Sequence, residues 1–192
     1  MAVNEMKIEL HRHQTLFEEL WFVTQAVAKE QTRFAIRYIK IEADYIVATD
    51  GHRLHVFYGS HGFSCGCYEI IKNTRTAIVL LQTETTKKFP DFQCIIPHHT
   101  NSFEQITHLR LTETVIGCLA RHDIGICMDY IKPFHNIDRN WQIFYGVPEQ
   151  PVRFISYTNR GRLEAVIMPV NLGYHDIKFT CKSERRHYAK VS

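Results

Sequence analysis

Polar and apolar side chains alternate from Lys7 to Leu10, which is the period of a half-buried strand. Thr15-Leu16-Phe17-Glu18 then has the form of a capping box, with a hydroxyl and a carboxylate placed to satisfy backbone donors at a helix start. Leu16, Leu20, Val23 and Val27 recur every three or four residues, and Phe17 and Trp21 widen the stripe. The spacing predicts a helix to about Glu30 that lays one broad face on a sheet. Phe34, Ile36 and Tyr38 alternate in the next run, and Tyr45 to Thr49 and Leu54 to Tyr58 read as further strands. Asp50-Gly51 between the last two marks a hairpin turn. Tyr68 to Lys72 and Thr76 to Gln82 flank Asn73-Thr74-Arg75 and predict a second hairpin.

Beyond Phe89-Pro90-Asp91-Phe92 and Ile95-Ile96-Pro97, the stretch His98 to Ser102 is polar and unpatterned, the expected place of a domain boundary. Ile106 to Leu111 and Thr114 to Leu119 read as strands. A short helix is expected near Asp129, with Pro133 in its first turn, where a missing N–H costs little. Gln142 to Tyr145, Val152 to Tyr157 and Leu163 to Met168 close the pattern. The expectation is an α+β protein of two units with antiparallel sheets and one main helix each, over residues 1–97 and 98–172, followed by a tail over 173–192.

Composition narrows the class. The chain has 192 residues, 45% hydrophobic and 22% charged, which excludes disorder and a pure coiled coil. The longest apolar run, Ala165 to Val170, falls far short of the roughly 20 residues that cross a bilayer. MAVNEMKIEL lacks the basic-then-apolar order of a secretory signal, so a cytoplasmic location is expected, and the six cysteines read as reduced thiols. The net charge of +3 sits in the tail, where Lys178, Lys182, Arg185, Arg186 and Lys190 face only Asp176 and Glu184. Such a tail either touches phosphates or keeps the chain soluble.

Catalytic patterns are sparse. An Asp50-x-His52 pair after a strand is also found in metal-dependent phosphoesterases, but the further Gly-Asp-x-x-Asp and Gly-Asn-His motifs that complete two metal shells do not occur. Cys65, Cys67, Cys94, Cys118 and Cys127 lack the Cys-x2-Cys spacing that presents two thiolates to zinc. With no Gly-rich phosphate loop, nucleophile elbow or Cys-His signature, neither a cofactor, a metal nor an enzymatic activity is expected.

Val47-Ala48-Thr49-Asp50-Gly51-His52-Arg53-Leu54 resembles the ATDGHRL stretch in the middle domain of the bacterial DNA sliding clamp, the beta subunit of DNA polymerase III. Lys7 to Glu30, Arg33 to Glu42, Phe89 to Phe92 with Ile95 to Pro97, and Ala165-Val166-Ile167-Met168-Pro169-Val170-Asn171-Leu172 fall in the clamp's order, the last resembling its C-terminal VVMPMRL. The resemblance covers residues 5 to 172 and is weakest between His98 and Asp123. It implies a shortened clamp without the first of three domains, a non-enzymatic processivity and replication accessory whose partner is a clamp-binding peptide of a polymerase or repair protein. Carried over by position, the peptide pocket would comprise Ile36, Thr49, Gly51, His52, Arg53, Leu54, Pro90 and Ile95 from the first unit. From the second it would take Tyr130, Met168, Pro169, Val170 and Leu172. Asn171 stands where the family has Arg, which removes a charge from the rim.

Clamps also encircle double-stranded DNA, gripping phosphates through Lys and Arg without reading bases. Candidates for that contact are Lys29, Lys132, Arg139, Lys182, Arg185 and Arg186. The first helix, however, carries Glu18, Glu19 and Glu30 against Lys29, and the second Asp129 and Asp138 against Lys132 and Arg139. Six domain-sized units close a clamp, so a two-unit chain would need three copies, a homo-oligomer with complementary edges. The alternative is a monomeric adaptor or decoy of phage or mobile-element type that keeps the pocket without encircling DNA.

Overall fold

In a computed structural model, residues 6–30, 34–97, 102–106, 111–137 and 139–170 are described, with backbone only for 102–106 and 111–114. Strands β1 (Lys7–His11), β2 (Ile39–Ile41), β3 (Tyr45–Thr49), β4 (Arg53–Gly59), β5 (Gly66–Asn73) and β6 (Ala77–Thr83) surround helix α1 (Phe17–Thr24) in sequence. Then come β7 (Ser102–Ile106), α2 (Leu111–Ala120), α3 (Met128–Ile131), β8 (Trp141–Tyr145), β9 (Val152–Thr158) and β10 (Gly161–Ile167). All ten strands form one antiparallel sheet in the order β1-β6-β5-β2-β3-β4-β10-β9-β8-β7. The α+β class and both expected hairpins hold. The two expected sheets are fused, because β10 pairs with β4 along its whole length, from Gly161 opposite Gly59 to Ile167 opposite Arg53. Glycine is demanded at that corner by close approach: a Cβ on Gly161 would sit 1.9 Å from the Tyr58 carbonyl oxygen.

β4 is buried on both faces. Its odd members His55 and Phe57 face the helices, while Leu54 and Val56 face a smaller cluster with Val47, Val166, Phe92 and Ile96. On the helical side, Phe22 of α1 stacks on His55, with centroids 4.1 Å apart, and meets Trp141 and Phe134 at 5.2 Å each. Offset and edge-on ring packing of this kind adds about 0.5–1.5 kcal/mol per pair beyond burial. It ties α1 to the strands of the second half.

Several local expectations are corrected. Thr15 does not cap α1. Leu16 takes the cap position at φ 72° with no side-chain bond, and the helix ends at Thr24 rather than near Glu30. The chain tightens there to three-residue bonds, Ala26 N–H to Val23 O and Val27 N–H to Thr24 O, and the Ala28 N–H then goes to Ile36 O. Residues 34–38, expected as strand, form turns held by Tyr38 N–H to Ala35 O, and β2 begins only at Ile39. Thr114 to Leu119 is helix, not strand: Val115, Cys118 and Leu119 are buried at helical spacing, which outweighs the strand preference of the β-branched run. The strand expected at Ile106 to Leu111 lies instead at Ser102–Ile106. Among the described residues the second half thus has two α-helices, and α3 continues into a 3₁₀ turn, Lys132–Asn136, that takes Pro133 at its start. No helix among the described residues is long and apolar enough to cross a membrane.

His55 is fully buried, and its Nδ1 lies 2.7 Å from the Phe22 carbonyl oxygen, which can only accept, so Nδ1 carries the proton. Burial lowers its pKa to about 3, with the nearby Arg53 charge acting the same way. Between pH 6.5 and 3 the unfolded chain therefore binds a proton that the native chain refuses, and stability falls as pH falls. The slope approaches about 1.4 kcal/mol per pH unit. Urea unfolding from pH 7 to pH 4 should show a shallower loss in His55→Phe than in the wild type; equal slopes would refute this account.

Candidate functional site

The turn between β3 and β4 is built by its own side chains. Asp50 Oδ1 accepts the N–H groups of His52 and Arg53, each at 3.0 Å, and Asp50 Oδ2 accepts Arg53 Nε at 3.0 Å. The Thr49 hydroxyl donates to Arg53 O at 2.7 Å and accepts the Gly51 N–H at 3.1 Å. Gly51 at φ +91° occupies backbone space that L side chains resist, which explains the Asp-Gly pair. The Arg53 guanidinium, already paired with Asp50, lies 4.8 Å above the Tyr130 ring on α3. Burial, reinforced by the Asp50 charge, raises the Tyr130 phenol above its ordinary pKa.

The end of β10 meets this turn directly. Met168 N–H donates to His52 O at 2.9 Å, and Val170 N–H donates to Gly125 O at 2.8 Å just before α3. Thus Thr49, Gly51, His52, Arg53, Tyr130, Met168, Pro169 and Val170 are brought into one neighbourhood from three distant stretches of chain. Met168 and Val170 are 40% and 47% exposed, and Met128, at the start of α3, is 37% exposed. Ile95, 43% exposed at the end of the 3₁₀ turn Gln93–Ile95, projects from the segment whose Phe92 and Ile96 are buried against Leu54 and Val166. Pro90 is half-buried at the head of that segment.

Other expected pocket members are placed differently. Leu54 is completely buried, and Ile36 and Thr49 are buried too, so these three support the surface rather than offering open walls. Ile36 sits on a loop whose Ala35 N–H bonds to Lys88 O, beside Pro90. Leu172 lies outside the described residues. Val166, Phe92 and Ile96, absent from the expected set, form the floor; the alternation of Val166 with Met168 was the available signal.

The cations expected to grip phosphate are mostly engaged. Arg139 is held by Glu18 at 3.1 Å and Glu19 at 3.0 Å and is only 20% exposed, so its charge is spent on α1. Lys132 pairs with Asp129. Lys29 is exposed beyond the end of α1, and Lys182, Arg185 and Arg186 lie outside the described residues. Arg12, His13, Arg75 and Arg160 line hollows around α1, one of which Arg139 also borders. None lies on a helix, so a search for basic helices passes over them. Among the described residues, no three His, Cys, Asp or Glu side chains gather as a metal site would require, and Cys65, Cys67, Cys94, Cys118 and Cys127 are free thiols.

An antiparallel sheet with helices on one face and a Met-Pro edge docked on an Asp-Gly turn defines a clamp-type architecture. Its solved counterparts are bacterial DNA polymerase III beta subunits: the chain has the fold of the DNA sliding clamp. The Caulobacter crescentus beta subunit aligns at TM-score 0.58 and 13% identity, covering 90% of this chain and 68% of that one. The Thermotoga maritima beta subunit gives 0.52 and 15%, covering 89% and 67%. The Pseudomonas aeruginosa clamp, solved with griselimycin bound, gives 0.55 and 11%, covering 90% and 68%. No protein-family model and no curated protein sequence matches the chain.

Because Asp50 supplies three hydrogen bonds to one turn, Asp50→Ala should lower stability by about 1–3 kcal/mol. It should also release Arg53 from its place over Tyr130. Thermal unfolding and the fluorescence of Tyr130 variants check this; an unchanged midpoint would show that the turn forms without its carboxylate.

Proposed function

We propose that this protein is a cytoplasmic, non-enzymatic clamp-like accessory of replication or repair, built from two reduced clamp units over residues 1–97 and 98–172, that captures an apolar peptide segment of a polymerase or repair partner. The supporting observation is the Met168 N–H bond to His52 O, which sets the exposed Met168 and Val170 beside the Asp50 turn over the cluster of Leu54, Val166, Phe92 and Ile96. Met side chains adapt to varied apolar anchors. Because Arg53 is neutralised by Asp50, the rim favours uncharged peptide over an acidic one.

A peptide in this place would lay its anchors between Met168 and Ile95, with Tyr130 and His52 as polar edges. Titration of the full chain with a fluorescent apolar clamp-binding peptide should show saturable binding. Met168→Ala should weaken it about tenfold, the size of one well-buried anchor contact. Absence of saturation, or affinity indifferent to both Met168→Ala and Val170→Ala, would end the proposal.

DNA contact is the second part of the reading. β1 and β7 stand at the two ends of the sheet, each with a single strand partner among the described residues, as chains that close a ring edge to edge would require. Sedimentation at micromolar concentration should give a trimeric mass for a six-unit ring. A strictly monomeric species would exclude the ring and leave the monomeric adaptor or decoy, with peptide binding intact.

A further inference from the structure

At the other end of the molecule, where the β1–α1 loop meets the β9–β10 turn, lies a hollow of about 410 Å³. That volume is in the range of small-ligand sites. Arg12 and Arg160, both exposed, reach it from opposite sides, and neither has a carboxylate partner among the described residues. Glu18 and Glu19 also line it, both bound by Arg139, and with Arg12 and Arg160 the three arginines outnumber the two carboxylates, so the hollow is cationic by one charge. The Nε of Arg139 is buried there and has no hydrogen-bond partner. No side chain caps α1, whose first turn opens its positive dipole end on the same space, with the Phe17 N–H already bonded to Gln14 O. Tyr157 completes the wall, 65% exposed, an aromatic face with no ring packed on it among the described residues.

These features call for two different chemical groups side by side. Two guanidiniums beside the positive end of a helix suit a phosphate. An exposed tyrosine beside them suits an unstacked base, since every base presents a π face. A duplex would offer phosphates but keep its bases inside, leaving Tyr157 unused. A second, smaller hollow continues from Arg12, Phe17 and Glu18 toward Trp21 and Arg75, where a neighbouring nucleotide could follow. We propose that this hollow binds a nucleotide phosphate with its base on Tyr157, the nucleotide being either free or part of a single strand. This goes beyond the peptide surface, which lies at the opposite end of β10.

The full chain is titrated with a 5′-phosphorylated oligothymidylate of about ten nucleotides bearing a 3′ fluorophore, a length within single-strand site sizes. Saturable binding is expected. Arg160→Ala, Arg12→Ala and Tyr157→Ala should each weaken it about tenfold, and Tyr157→Phe should retain it. All of these residues are exposed and outside the core, so the variants should fold, which their far-ultraviolet circular dichroism checks. Met168→Ala should leave this binding unchanged, which separates its outcome from that of the peptide surface. Competition by thymidine 5′-monophosphate at matched concentration would identify a free nucleotide as the ligand; competition by unlabelled oligomer alone would identify the strand. The proposal is overturned by absence of saturable binding, by affinity indifferent to both arginine variants, by inorganic phosphate competing as well as the nucleotide, or by duplex competing as well as single strand.

Discussion

The ladder between β4 and β10 is the constraint on which the molecule turns. It joins strands more than a hundred residues apart and makes one sheet of two hairpin systems. It also sets the register that delivers Met168 to the carbonyl of His52. A slip of one residue would turn Val166 from the small apolar cluster toward the helices and bring Ala165 in its place, so both faces of the seam resist slippage.

The seam also holds a buried charge. Glu164 is fully buried and accepts Arg153 Nε at 2.7 Å, while Arg162 approaches its second oxygen at 2.9 Å without a hydrogen-bond alignment and lies over the Tyr58 ring. Arg153 Nη1 also reaches Pro97 O at 3.3 Å. Buried ion groups of this sort add little net stability, because desolvation offsets the attraction. Their effect is geometric: Arg153 pins the end of the segment carrying Phe92, Ile95 and Ile96, and so holds one bank of the peptide surface.

The two proposed ligand surfaces follow from the same arrangement. One end of β10 is stitched to the Asp50 turn and is apolar and neutral; the other ends in the turn that carries Arg160 and faces the uncapped start of α1. A clamp-type sheet thus separates an apolar surface from a cationic one along a single strand about seven residues long. Charge at the second surface comes from loops, since α1 leaves only Glu18 exposed and Trp21 half-buried, with no lysine.

Strands β3 to β6 and their turns were legible because alternation and Asp-Gly chemistry involve residues next to one another. The Asp50 turn and the Met168 edge were legible as motifs, and their meeting was implied by resemblance alone. The extent of α1, the helical state of Thr114 to Leu119 and the place of β7 were not legible. For Thr114 to Leu119 local preference was ambiguous and the burial of Val115, Cys118 and Leu119 decided the outcome; beyond α1 the Ala28 N–H goes to Ile36 O, and β7 is placed by its pairing with β8. Composition and periodicity settle class, hairpins and candidate chemistry, since these depend on short-range sterics and hydrogen bonding. Which arginines stay unpaired, that Leu54 is closed over, and that one sheet spans both halves depend on contacts across the chain, which no local pattern encodes.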